Sequence, residues 1–130
     1  MKNSLLLVAV LCLSLFVYCG NNKSQNFPNE MSEMANVMRE MVTQLEQARS
    51  DLKAGKTAQL NFKSFHNYEL TDESFNKPGL ESMSQFLLTQ SKTFDKNPTA
   101  ESYKNVIISC QSCHIYLCPG PLELINTLNY

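Results

Sequence analysis

At 130 residues, with a formal net charge of −1, 43% hydrophobic and 9% aromatic residues, the chain is long enough for one globular core and too short for a second. The 11 basic and 12 acidic residues include no basic run, which excludes the electrostatic footprint of a nucleic-acid binder. With 4 glycines and 5 prolines it is neither a linker nor a low-complexity protein, and no internal repeat suggests a solenoid.

The chain opens with Lys2 and an apolar run from Leu5 to Tyr18 broken only by Ser14. This is the pattern of an export signal, and the run is too short for a comfortable membrane span. Val17-Tyr18-Cys19-Gly20, followed by polar Asn21, Asn22, Lys23 and Ser24, resembles a bacterial lipoprotein signal in which Cys19 carries the lipid. Tyr18 departs from the small residue usual before such a cysteine, so ordinary cleavage nearby is the alternative. The expected organisation is an export signal over 1–18, a lipid-anchored tether over 19–28 and a helical bundle over 29–130, placed in the periplasm or cell envelope and held to the membrane through Cys19.

Helical periodicity governs the rest. From Asn29 to Ala54, Met31, Met34, Met38, Met41, Leu45, Ala48 and Leu52 recur in steps of three and four and form one stripe. Pro28 and Asn29 are expected to open this helix and Gly55 to close it. Residues 56–77 lack sustained periodicity and predict a loop with at most a short helix, whose aromatic Phe62, Phe65, Tyr68 and Phe75 need burial. Pro78-Gly79 restarts the chain, and Leu80, Met83, Phe86 or Leu87, and Phe94 mark a second helix ending near Asp95. Asn97 is expected to cap a third helix with Pro98 in its first turn. Its apolar face is Tyr103, Val106, Ile107, Cys110, Cys113 or His114, and Leu117, and Pro119-Gly120-Pro121 stops it. The tail from Leu122 to Leu128 has room for one or two turns.

Of the 5 cysteines, Cys12 lies in the signal and Cys19 is assigned to lipid, which leaves Cys110, Cys113 and Cys118 crowded into one stretch. Three neighbouring thiols make a poor disulfide framework. Cys110-Gln111-Ser112-Cys113-His114 is C-x-x-C-H, the attachment signature for c-type haem, in which two thiols add to haem vinyl groups and the histidine ligates iron. On a helix, positions i, i+3 and i+4 share a face, so both sulfurs and the imidazole meet one macrocycle. The competing reading is a redox or metal-binding C-x-x-C with an incidental histidine. Redox pairs usually open a helix, whereas this one lies near a helix end, and a zinc site lacks a second ligand pair.

A C-x-x-C-H inside the last long helix of a small exported bundle, with a methionine-bearing first helix, resembles the class II c-type cytochromes, the cytochrome c prime group and its low-spin relatives. Ser109 to Pro121, SCQSCHIYLCPGP, also resembles a branch of short exported proteins associated with Bacteroidota. The resemblance implies an all-α, antiparallel helical bundle of the four-helix type. One helix is short or degenerate here, because 56–77 is brief and aperiodic. It implies haem c attached through Cys110 and Cys113, His114 as the proximal iron ligand and Met38 as the distal ligand, because Val37-Met38-Arg39 looks like the aliphatic-Met-basic step of low-spin members. Met34 and His66 are the other candidates for the sixth position, and an open site is a further one. Tyr116 is assigned to the haem contact. Ile115, Tyr116 and Leu117 are uncharged where the family places a basic residue near the propionates, so those partners are sought at Arg39 or Lys104. Cys118 falls off the face of Cys110 and Cys113 and reads as a free thiol, or as one that pairs between chains.

The expected function is single-electron transfer between redox partner proteins of the envelope by a monohaem cytochrome, not an enzyme. The alternatives are a five-coordinate haem protein binding NO or CO, and a haem-free C-x-x-C redox or metal-binding protein. The oligomeric state is left open, a dimer included.

Overall fold

The computed structural model describes residues 31–130, so the expected signal, Cys19 and the tether lie outside the described residues. Every regular element among the described residues is helical: α1 (Glu33–Lys53), a 3-10 turn (Glu73–Phe75), α2 (Leu80–Lys96), α3 (Ala100–Tyr116) and α4 (Leu122–Thr127). None of these helices is long and apolar enough to cross a membrane.

Local chemistry accounts for most of the boundaries. Gly55, at φ +67°, closes α1 in the left-handed conformation that glycine adopts without a Cβ penalty. Its N–H donates to the carbonyl of Leu52 at 3.1 Å and the next one, of Lys56, to Asp51 at 2.8 Å, the paired bonds of a Schellman ending. The opposite end corrects the expectation at Pro28 and Asn29: α1 begins after Ser32, whose hydroxyl accepts from the Ala35 N–H at 3.1 Å. The start of α3 is likewise displaced. Asn97 ends α2, Pro98 lies before the cap, and Thr99 is the cap. The Thr99 hydroxyl accepts from the Ser102 N–H at 3.1 Å, and the Ser102 hydroxyl accepts from the Thr99 N–H at 3.0 Å.

The core gathers Met41, Leu45 and Ala48 of α1, Leu87 and Phe94 of α2, and Tyr103, Val106 and Ile107 of α3. Met31, at the head of the sequence stripe, is 46% exposed, and Phe86 is 55% exposed, so Leu87 is the inward member of that pair. Buried Ser84 and Ser91 continue the inner face of α2, their hydroxyls bonded to the carbonyls of Glu81 and Leu88 within the helix. Small residues there allow the close packing of α2 on α3, and the three-residue connection at 97–99 makes the two antiparallel neighbours.

The missing bundle helix has a physical explanation. After Gly55 the chain returns in extended form, burying Ala58, Leu60, Phe62 and Phe65. The Asp95 carboxylate fixes it, accepting from Leu60 N at 2.7 Å and Asn61 N at 3.2 Å. By Glu69 it has reached the first turn of α1, where the Met34 N–H donates to the Glu69 carbonyl at 3.0 Å. Extended chain rises roughly 3.3 Å per residue against 1.5 Å in a helix, so this short stretch retraces α1 without forming a helix of its own. Tyr68, at 36% exposed, stays at the surface. At the far end of the molecule the Arg49 guanidinium donates to the carbonyls of Thr127 and Asn129, which docks the C-terminus on α1.

Candidate cofactor site

The first half of α1, the segment around Leu70 to Leu80, the end of α3 and the chain beyond it enclose a cavity of about 430 Å³, within the usual range for small-molecule and cofactor sites. Met34, Met38, Met41, Leu45, Leu70, Phe75 and Leu87 make most of its wall apolar, and among the described residues Arg39 is the one side chain with a fixed charge on the lining.

Cys110, Cys113 and His114 all line this cavity. They do so because α3 runs unbroken through Tyr116, which keeps positions i, i+3 and i+4 on one face. His114 is buried, and Cys110 and Cys113 are half-buried free thiols. The His114 Nδ1–H donates to the backbone carbonyl of Cys118 at 3.1 Å, with the Cys118 sulfur 3.5 Å from the same nitrogen. A carbonyl only accepts, so the proton sits on Nδ1 and Nε2 is left unprotonated, the tautomer a metal-ligating imidazole needs. Burial lowers the His114 pKa while the Cys118 carbonyl pulls it upward, and the net direction is down, toward the neutral ring.

Burial also governs the thiols. It pushes Cys110 up to about 12, with Cys113 adding to the effect, and Cys113 up to about 11, with Cys118 adding to it. Cys118 is raised by burial, with Lys77 acting against it. A redox-active C-x-x-C is marked by the reverse, a thiol depressed by a helix N-terminus or a cation.

Among the residues singled out from the sequence, Met34 and Met38 of α1 share the cavity with Cys110, Cys113 and His114, whereas Met31 does not. His66 lies away from it, its Nδ1 3.1 Å from the Ser64 hydroxyl. Tyr116 is 48% exposed and off the lining, with the Lys77 ammonium 5.7 Å from its ring centroid. It follows His114 by two positions and therefore points off the shared face. Of the two cations considered for propionates, Arg39 lines the cavity and exposed Lys104 does not.

Two features went unread in the sequence. Helical spacing places Cys118 off the face of Cys110 and Cys113, but α3 ends at Tyr116 and the chain turns through Cys118, Pro119, Gly120 and Pro121 along the cavity, which brings the thiol onto its wall. The Pro-Gly-Pro turn was the available signal. The second is Lys77, whose ammonium donates to the carbonyls of Tyr116 and Leu117 at 3.0 and 3.2 Å.

The donor chemistry fits a covalently held haem: two thiols for the vinyl groups, one imidazole with its outer nitrogen occupied, and two thioethers on a different helix. Among the described residues no group of three or more His, Cys, Asp or Glu side chains is arranged to hold a bare metal ion. Comparison of the chain with protein-family models, with curated proteins and with solved structures found no match.

Proposed function

We propose that this chain is an exported, lipid-anchored single-haem c-type cytochrome that passes electrons between redox partners of the cell envelope. The observation that carries the reading is the convergence of Cys110, Cys113, His114, Met34 and Met38 on one apolar cavity.

In this reading Cys110 and Cys113 would hold the haem covalently, each as a thioether formed by addition of its S–H across a vinyl group. Haem, when bound, supplies a one-electron Fe(III)/Fe(II) couple. The residues do the rest. His114 offers Nε2 as the proximal ligand while the Cys118 carbonyl fixes the ring. A thioether from Met38, or from Met34, would be the second iron-holding side chain and would raise the potential. The apolar wall excludes water, and Arg39 supplies a cation for a propionate. Cys19 carries the lipid, and the polar stretch beyond it separates membrane from bundle.

The deciding experiment is expression of the full chain in a host with working c-type maturation, followed by acid-acetone extraction and a visible spectrum. Colour that stays with the polypeptide and a low-spin spectrum support the cytochrome. Haem that extracts freely, or fails to load, overturns it. A high-spin spectrum at neutral pH replaces electron transfer with the gas-binding form.

A further inference from the structure

The segment from Glu69 to Leu80 contributes Leu70, Thr71, Phe75 and Leu80 to the cavity wall and is tied at both ends. At its start, the Met34 N–H donates to the Glu69 carbonyl at 3.0 Å and the Glu69 N–H to Glu33 Oε2 at 3.2 Å, while the Thr71 and Ser32 hydroxyls lie 2.8 Å apart. All three bonds hold it to the first turn of α1, the helix that carries Met34 and Met38. At its other end, Lys77 reaches the carbonyls of Tyr116 and Leu117, just beyond His114. Those carbonyls lack helical partners, and a cation at this negative helix end is favourably placed. Between the ties, Leu70, Thr71 and Phe75 face the cavity. The 3-10 turn there is held by Asp72, whose carboxylate accepts from Ser74 N at 2.8 Å and whose carbonyl accepts from Phe75 N at 3.0 Å.

This matters because close backbone packing joins α2 to α3 and α3 to α4, whereas α1 approaches them less closely. Tyr103 of α3 reaches the Leu45 carbonyl of α1 directly, at 3.2 Å. Around Met34 and His114, the hydrogen bonds of the tied segment bridge the methionine-bearing and histidine-bearing helices.

We infer that residues 69–80 form a strap over the cofactor cavity and that Lys77 is a positioning residue, latching the strap to the end of α3 and thereby controlling the access of small exogenous ligands to the iron. The inference rests on the haem reading for its consequence and on the bonds above for its geometry. Lys77 touches neither thioether nor imidazole; it acts through Leu70, Thr71 and Phe75.

The test compares the full chain with Lys77→Met, Lys77→Arg and Thr71→Val in two measurements. The first is amide hydrogen exchange of the haem-free chain at Ser74, Phe75 and Asn76. Removing two charge-assisted bonds is expected to speed it about tenfold in Lys77→Met. The second is carbon monoxide association with the reduced haem-loaded chain, expected to rise by about the same factor if strap opening gates entry. Lys77→Arg, whose guanidinium donates to the same carbonyls, should restore both. Thr71→Val, which loosens the opposite tie, should move both in the same direction by less. Unchanged exchange in Lys77→Met would overturn the strap, and faster exchange with unchanged carbon monoxide association would overturn the gating role. If the unmutated chain never loads haem, the cytochrome proposal and the gating role fall together, while the exchange arm still decides the strap itself.

Discussion

His114 and Cys118 are joined by a bond from the imidazole Nδ1–H to a backbone carbonyl, 3.1 Å long, that spans the end of α3 and the turn beyond it. The acceptor belongs to the main chain, so the side chain at 118 is dispensable for fixing the ring. Cys118→Ala is therefore expected to retain covalent haem and an unaltered spectrum. On the proposed attachment, Cys110→Ala and Cys113→Ala should each leave one thioether and shift the haemochrome absorption in alkaline pyridine toward that of a vinyl-bearing haem. Loss of covalent haem in Cys118→Ala would show instead that the third thiol takes part in attachment.

The sixth ligand is read by single substitutions on α1. If the proposed cytochrome is right, Met38→Ala should give a high-spin or ligand-accepting iron with a lowered potential, because a thioether ligand completes the coordination and raises the potential. Met31→Ala, at a residue 46% exposed and off the cavity, is the silent control. A spin-state change in Met34→Ala, with Met38→Ala unaffected, would move the ligand one turn toward the helix start.

In the haem-free chain the thiols should be sluggish. Burial holds Cys110 up at about 12 and Cys113 at about 11, so little thiolate exists at pH 8. Iodoacetamide modification of the haem-free folded chain is expected to be at least about tenfold slower than in urea. Rapid alkylation of the folded chain would favour a redox C-x-x-C.

Tyr103 ties three elements together, its buried hydroxyl lying 3.2 Å from the Leu45 carbonyl and 3.0 Å from that of Leu128. Tyr103→Phe deprives both carbonyls of this donor and should cost about 1–2 kcal/mol in urea melts. The same burial raises the Tyr103 pKa from 10.0 to about 12. Its protonated form is thus favoured in the folded chain, and the associated stability is fully present below pH 10 and lost as pH rises through about 12. That alkaline component should vanish in Tyr103→Phe, and a melt series at rising pH will show whether it does.

The anchor is tested separately. Cys19→Ser should release the protein from membranes with its spectrum unchanged. A chain already soluble with Cys19 present would remove the lipid from the proposal. Since one acyl chain binds only weakly, multiple acylation is expected.

Much of this molecule was legible along the chain. The α1 stripe, the Gly55 ending, the Pro-Gly restart of α2, the run of α3 to the Pro-Gly-Pro turn and the grouping of Cys110, Cys113 and His114 all depend on relations within one or two helical turns, where side-chain chemistry and a 3.6-residue period suffice. The displaced caps at Ser32 and Thr99 are small failures of the same kind. Several residues suited to capping stood side by side, and the hydrogen bonds actually made decided among them.

What the tertiary structure alone decided involves residues far apart in sequence. Irregular chain at 56–69 stands in for a bundle helix because Asp95 and a row of buried apolar side chains fix it against its neighbours. Cys118 reaches the cavity because the chain turns after Tyr116, while Tyr116 itself turns outward. Arg39 lines the cavity and Lys104 does not, a difference set by how α1 and α3 face each other. Lys77, in an aperiodic stretch with no motif, finds its role only because two carbonyls of α3 lack partners beside it. Local sequence determined which residues share a helix face; packing between distant segments determined which faces enclose the cavity.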